Sequence, residues 1–341
     1  MTVLVTGGAG FIGSHTVHSL VDSGERVVVI DDLSTGSPNL LPEAATLVCG
    51  DIGDSALVTR VVSDHAVTAV IHFAGSIVVA ESVVDPLKYY LNNTVKSHGL
   101  LSAAVAAGIG IFIFSSTAAV YGNPPRSPVD ESAPLAPVSP YGSSKMMVEL
   151  MLRDVAAAHT LRYAALRYFN VAGADERMRT GQISPNATHL IKVACEAAVS
   201  RRDGVSVFGA DYPTADGTCI RDYIHVSDLA HAHVLALDYL RAGGESVVLN
   251  CGYGRGSSVL EVIAAVKRAS SVDFPVRLAP RRPGDPVELV AAADRIRSLL
   301  GWKPAHADLD RIVIDALRWE RGLAERGIEG LLGRSAGPQK R

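Results

Sequence analysis

Cysteine is scarce in this chain: 341 residues contain four, Cys49, Cys195, Cys219 and Cys251, widely scattered and without a CxxC pair. That spacing suggests neither a zinc site nor a disulfide framework, and single buried thiols in a reducing compartment fit it best. Basic runs are missing too. The formal net charge is -3 and no Lys/Arg cluster is long enough for a nucleic-acid surface, so no such partner is expected. A small phosphate ligand needs only one or two arginines and stays open. No apolar stretch reaches membrane-span length, so no membrane partner is expected. The N-terminus runs into Val3-Leu4-Val5 without a basic region or a cleavable apolar segment, which predicts a cytoplasmic protein.

What the chain does have is a full core. Apolar residues make up 48% and charged residues 20%, ordinary for a soluble globular protein with length for about two domains. Residues 2–6, Val27 to Asp31, Leu47 to Cys49, Ala69 to Phe73 and Ile111 to Phe114 are continuous apolar runs, with Leu166 to Phe169 a sixth. Such runs read as strands covered on both faces. Helical patterns lie between them at 11–22, 55–65, 87–107 and 141–158. The alternation predicts an α/β fold, a Rossmann-type doubly wound parallel sheet over residues 1–170. Beyond Asn170 the rhythm changes: short strands near 205–208, 223–225 and 247–249 mix with helices near 188–199, 228–241, 257–269 and 308–321. This predicts a smaller mixed α/β substrate lobe over 171–329. The segment 330–341, rich in Gly, Ser, Pro and basic residues, predicts a disordered tail.

Gly7-Gly8-Ala9-Gly10-Phe11-Ile12-Gly13 lies between the first strand and first helix, the context a dinucleotide fingerprint requires. Glycine is needed where backbone approaches a pyrophosphate, and the helix N-terminus faces its charge. Asp31 ends the next strand, about 20 residues on, where a carboxylate accepts from ribose hydroxyls. Asp31-Asp32 would repel a 2′-phosphate, so NAD is preferred to NADP. Asp51-Ile52 follows the third strand and can meet the adenine edge. Phe73-Ala74-Gly75 follows the fourth with small residues suited to close approach, and Asn92 is a candidate anchor for a helix or a phosphate.

Ser139-Pro-Tyr-Gly-Ser-Ser-Lys145 sets a phenol and an ammonium four residues apart, on one helix face. The positive charge is expected to pull the Tyr141 pKa below its usual value of about 10, giving a base for an alcohol that releases hydride to a nicotinamide.

TGGAGFIGSH at 6–15, HFAGS at 72–76, SSTAAVYG at 115–122, SPYGSSK at 139–145, LRYFNVAGA at 166–174, DYPT at 211–214 and GTCIRDYIHVSDLA at 217–230 extend these signals. Together they resemble the galactose epimerase (UDP-glucose 4-epimerase) branch of the extended short-chain dehydrogenase/reductases, from Thr2 to about Trp319. The resemblance implies Tyr141 as catalytic base, Lys145 as its partner and Thr117 as the hydroxyl on the sugar 4′-oxygen. It implies NAD contacts at Gly7, Gly10, Phe11, Ile12, Gly13, Asp31, Asp51, Ile52, Phe73, Ala74, Asn92, Lys145 and Tyr168. UDP-sugar contacts are implied at Asn170, Leu190, Phe208, Arg221, Arg282 and Asp285. Arginine suits the diphosphate because its planar fork pairs bidentately. The implied activity is C4′ epimerisation of UDP-glucose and UDP-galactose through a 4-keto sugar, with tightly bound NAD regenerated each cycle.

Some positions depart from the family pattern. Ile77 replaces a lysine of some members, and Ala292 a common aspartate whose loss we do not interpret. His189 stands for an asparagine beside the nucleotide, with little change expected. Leu289 sits where glucose-only members carry tyrosine, which inclines the pocket toward 2-acetamido sugars. Ala118-Ala119 follow Thr117 where 4,6-dehydratases carry an Asp-Glu pair, which argues against elimination. Epimerases of UDP-xylose/arabinose or UDP-glucuronate share the same residues, and a non-catalytic NAD-binding scaffold is the alternative of another class. His225, His231 and His233 suggest core and surface histidines, with no metal. The resemblance also implies a homodimer built on helices 87–107 and 141–158, including the apolar 101–107 region.

Overall fold

The computed structural model describes residues 1–184, 187–282 and 284–327. The tail expected from 330 lies outside them. Strands are β1 (Thr2–Thr6), β2 (Arg26–Asp31), β3 (Thr46–Cys49), β4 (Val67–His72), β5 (Ile111–Thr117), β6 (Arg162–Tyr168), β7 (Asn170–Ala172), β8 (Val205–Phe208), β9 (Ile220–His225), β10 (Val247–Cys251), β11 (Gly256–Ser258), β12 (Val276–Ala279) and β13 (Glu288–Leu289). Helices are α1 (Phe11–Asp22), α2 (Ser55–Asp64), α3 (Val79–Val84), α4 (Pro86–Tyr89), α5 (Lys96–Ala106), α6 (Pro140–Ala158), α7 (Leu190–Ala198), α8 (Val226–Arg241), α9 (Val259–Ser270), α10 (Asp294–Leu300) and α11 (Leu309–Arg326).

A seven-stranded parallel sheet runs β10-β6-β5-β4-β1-β2-β3. Side-chain alternation splits its apolar residues between two cores. Val3, Val5, Val27, Val29, Ile71 and Ile113 face one, which α1 and α8 help to cover. Leu4, Val28, Ile30, Val70, Phe112 and Phe114 face the other, beside α2, α5 and α6. Continuous apolar runs therefore did mark strands covered twice, except at the edge. There β3 is only partly covered, and Cys49 is exposed while the other three cysteines are buried. Expecting four buried thiols overlooked that an edge strand has one flank in water.

The strand near 247–249 belongs to the large sheet, not to the smaller lobe as expected. Val247–Cys251 pairs in parallel with Ala164–Tyr168 after α8 has crossed the sheet. The smaller lobe holds a second sheet in which β9 pairs with β7, β11 and β13, and a two-stranded β8-β12 pair.

The predicted helix 87–107 is one unbroken helical run over 86–106, but it is not α-helical throughout. Between α4 and α5 lies a π-helical turn, Tyr90–Val95, a wide turn common at functional sites. Within 101–107, Leu101 and Ala104 are buried in the chain's own core, while Ser102, Ala106 and Ala107 are exposed. Large exposed apolar side chains lie at Leu91, Val95, Met147 and Leu150.

Candidate active site

Strand β1 ends at the glycine loop, whose Gly7 has φ +70°, a conformation that glycine adopts without strain. A Cβ on Gly7 would stand 2.5 Å from the Ala74 amide nitrogen, and one on Gly13 would stand 2.2 Å from the Gly7 carbonyl. Only bare backbone fits, so the loop, the Phe73–Ala74 turn and the start of α1 approach one another closely. Gly10 opens α1 with no side-chain cap and no acidic residue in the first turn, leaving its amides to an anion beside Phe11 and Ile12. Asp31, buried at the end of β2, accepts from the amides of Ala9 and Leu33, both at 2.9 Å. Burial raises its carboxyl pKa against those two hydrogen bonds. This cradle fits a dinucleotide: an open anion site, a ribose-side carboxylate and backbone where a side chain would intrude.

The next strands bring the hydroxyls together. Thr117 ends β5, Tyr168 ends β6, and the register pairs them directly. Ser139 caps α6 by accepting the Gly142 amide at 3.2 Å, and Pro140 supplies the fixed φ of the first helical position. The helix thus starts one residue before Tyr141, and its first two turns bury Tyr141 and Lys145 against β5. Thr117 Oγ1 accepts the Ala119 amide at 3.1 Å, and its hydroxyl is close enough to the Tyr141 phenol to act on its pKa. The Tyr168 hydroxyl bonds Ser115 Oγ.

In the protein alone Lys145 does not bring about the expected fall: burial raises the Tyr141 phenol pKa, and only the neighbouring Thr117 hydroxyl opposes it. The Lys145 ammonium instead donates to the Ser115 carbonyl at 3.1 Å and lies 5.0 Å from the centre of the Phe114 ring. Burial lowers its pKa to about 8. Helical spacing placed both groups on one face but could not weigh the loss of water around the phenol.

Sequence reasoning singled out Asn92 but missed Asn93 and Glu149, which hold this corner in place with it. Asn93, in the π-turn, accepts the Ser76 amide at 2.7 Å and donates to the Ser76 carbonyl at 2.9 Å and to Ser144 Oγ at 3.0 Å. A Cβ on Gly75 would lie 2.8 Å from Asn93 Oδ1. Asn92 donates to Ser76 Oγ at 2.9 Å, so both asparagines fasten the loop after β4. Glu149 receives Ser116 Oγ and the Arg167 guanidinium, Nη2 at 2.6 Å, tying α6 to the strand ends beside Thr117 and Tyr168. An NN pair and a mid-helix glutamate carry no motif. Only the fold reveals their partners.

In the smaller lobe, Arg221 lies 3.6 Å from Asp285 and pairs in register with Leu289. The Arg282 guanidinium covers the Phe208 ring at 3.8 Å. Asn170 starts β7 in register opposite Tyr223. Leu190 is the first residue of α7, and His189 before it meets Gln182 Nε2 through Nδ1 at 3.1 Å. The structure therefore joins Arg221, Asp285 and Leu289 in one group and sets Arg282 on Phe208, with His189 anchored separately. His225 lies 3.3 Å from Asp315, His233 packs on Phe73, and His231 is exposed. Among the described residues no group of three or more His, Cys, Asp or Glu side chains is placed to hold a metal ion. Nor is any described helix long and apolar enough to cross a membrane.

A glycine cradle on a parallel sheet, with a Tyr-x-x-x-Lys helix beside a threonine at a neighbouring strand end, defines the short-chain dehydrogenase/reductase class. Within it, the chain belongs to the NAD dependent epimerase/dehydratase family, whose profile matches residues 3–252. A UDP-glucose 4-epimerase of Azospirillum brasilense is 60% identical over 335 residues, 98% of this chain and 96% of that protein. A crystal structure of UDP-glucose 4-epimerase from Brucella ovis in complex with NAD superposes with TM-score 0.90 at 45% identity, covering 93% of this chain and 97% of that one. The UDP-Glc/GlcNAc 4-epimerase of Campylobacter jejuni gives TM-score 0.83 at 47% identity, covering 94% and 99%.

Proposed function

We propose that this chain is a cytoplasmic UDP-sugar 4-epimerase that interconverts UDP-glucose and UDP-galactose with a resident NAD. The observation carrying the reading is the Thr117–Tyr141 hydroxyl pair, buried beside the glycine cradle at the C-terminal edge of the sheet. Gly7, Gly10, Phe11, Ile12, Gly13, Asp31, Asp51, Ile52, Phe73, Ala74, Gly75, Asn92, Lys145 and Tyr168 hold the cofactor. The chemistry NAD supplies when bound is reversible hydride acceptance at C4′ of the sugar, with no net redox change.

Tyr141 takes the 4′-hydroxyl proton, directly or through Thr117, and returns it after the sugar has turned over. Thr117 serves both states, since its hydroxyl donates to the phenolate and accepts from the phenol or the substrate. Lys145, fastened to Ser115, keeps a positive charge close to the reacting oxygen. Arg221 and Arg282 grip the diphosphate, with Asn170, His189, Leu190, Phe208 and Asp285 around the nucleotide. Binding concentrated on UDP leaves the hexose free to rotate as the 4-keto sugar and keeps that intermediate from escaping.

A second activity, on the 2-acetamido sugars, is favoured by Leu289: it is half-buried beside Arg221 and has neither ring nor hydroxyl to fill the pocket. The chain works as a homodimer in this reading, with Leu91, Val95, Met147 and Leu150 of the π-turn, its C-terminal end and α6 meeting a second copy. Proton NMR of the purified protein with UDP-glucose or UDP-N-acetylglucosamine, no NAD added, tests the proposal. Formation of the matching galacto sugar supports it. No conversion of either sugar, even with NAD supplied, overturns it in favour of a pentose or uronic acid epimerase.

A further inference from the structure

Lys96 opens α5 directly after the π-turn and reaches across to the loop that follows β3. Its Nζ meets Asp51 Oδ2 at 2.6 Å, while Asp51 Oδ1 accepts the Gly53 amide at 2.8 Å. The lysine stem lies on Gly53, where a Cβ would stand 3.2 Å from Lys96 Cγ and 3.3 Å from Cδ. Lys96 is only 20% exposed, whereas Asp51 keeps 46% of its side chain open. A surface aspartate ordinarily samples several rotamers. Here two donors, one on each oxygen, fix the plane of the carboxyl and leave its remaining lone pairs facing outward. Burial pushes the Asp51 pKa up, but the Lys96 and Gly53 hydrogen bonds outweigh it and hold the group below the usual carboxylate range. At neutral pH this edge therefore only accepts hydrogen bonds.

Its place in the fold gives the edge a ligand. The Gly50 amide donates to the Asp31 carbonyl at 3.0 Å, so Asp51 stands beside the ribose-side carboxylate, at the neighbouring strand end. Beyond a ribose held at Asp31, an acceptor-only edge selects a base that offers a donor. Adenine offers its exocyclic amine, whereas a 6-oxo purine presents a carbonyl that an anion repels.

We propose that Lys96 is a positioning residue for purine recognition: by orienting Asp51 it makes the cofactor site discriminate a 6-amino from a 6-oxo purine dinucleotide. The proposal rests on the NAD placement above and adds to it a residue outside the glycine fingerprint. An ordinary exposed ion pair contributes about 0–1 kcal/mol to stability and would carry no base selectivity.

The test exchanges dinucleotides on the holoenzyme. Wild type, Lys96→Met and Asp51→Asn are equilibrated with NAD or with its hypoxanthine analogue, and the bound fraction of each is measured. Methionine retains an apolar stem over Gly53 and removes the charge. The wild type is expected to prefer NAD by about tenfold, as for one hydrogen bond to a charged group. Lys96→Met should narrow that preference to about threefold or less by losing NAD affinity alone. Equal loss for both dinucleotides, or loss for neither, overturns the role of Lys96. If Asp51→Asn abolishes the preference while Lys96→Met keeps it, only Lys96 is misassigned. If Asp51→Ala, measured alongside, leaves the preference intact, the adenine is not at Asp51 and both statements fall.

Discussion

Asn93 and Ser144 are joined by a 3.0 Å hydrogen bond across 51 residues of chain, linking the π-turn to the residue that precedes Lys145. Because Asn93 also pins the backbone of Ser76, the loop after β4 and α6 share one fastening. In the proposed mechanism this sets cofactor-side and base-side geometry together.

Asn93→Ala should disturb both at once. Turnover is expected to fall about 10²-fold, the loss typical of a misplacement near 1 Å. The half-buried Ser76 amide, left without its acceptor, should cost about 1 kcal/mol of stability, the low end for an unsatisfied donor. Epimerisation rates and denaturant midpoints on the same preparation measure both. Wild-type turnover together with a lowered midpoint would reduce Asn93 to a structural role.

Tyr141→Phe removes the proposed base and leaves its ring against Tyr89, whose own ring meets it edge-on at 6.5 Å. Turnover should fall by about 10²–10⁴-fold. The NAD content of the purified protein should stay unchanged, and normal turnover would refute the assignment.

Glu149→Ala strands the buried Arg167 guanidinium, whose side chain is only 5% exposed. Breaking one partner of such a pair costs about 3–5 kcal/mol. A urea titration should show that loss, whereas a change under 1 kcal/mol would mean that Tyr121, 2.9 Å from Arg167 Nη1, suffices to hold the charge.

Acidification should weaken the fold above the range where most carboxylates titrate. Burial lowers His15 and His72 to about 3 and His233 to about 4. Below pH 6.5 the unfolded chain takes up protons that these folded histidines refuse, so stability falls with pH. Asp222, raised to about 6 by burial, works the other way: it binds its proton earlier when folded. Burial also lowers His18, His189 and His225, so six histidines oppose His306, Asp31, Asp222 and Glu320, whose pKa values are raised, and urea midpoints should drop from pH 6.5 to 5. His233→Phe should flatten the slope, and an unchanged slope would remove His233 from the account.

Much of this was legible in the chain. The runs around Val3 to Val5 and Ile111 to Phe114 declared strands because both faces of a parallel sheet are dry, and the glycine loop announced its own turn. Edge exposure at Cys49 and the docking of Val247–Cys251 beside β6 depend on strand order, which no local pattern encodes. The π-turn escaped for a related reason: its sequence, Tyr90 to Val95, has ordinary helical residues, and its width appears only where Asn92 and Asn93 engage Ser76. The phenol of Tyr141 was misread because a pKa answers to burial, which spacing does not report.

The return of β10 to the large sheet means that the chain sews its two parts together instead of threading from one to the other. A fragment ending at Asn170 would carry Leu166 on a bare parallel edge, where Leu249 now lies alongside. Neither part is a module to be cut out and transplanted. Variation in the later part of the chain must evolve on a scaffold whose large sheet that same stretch helps to close.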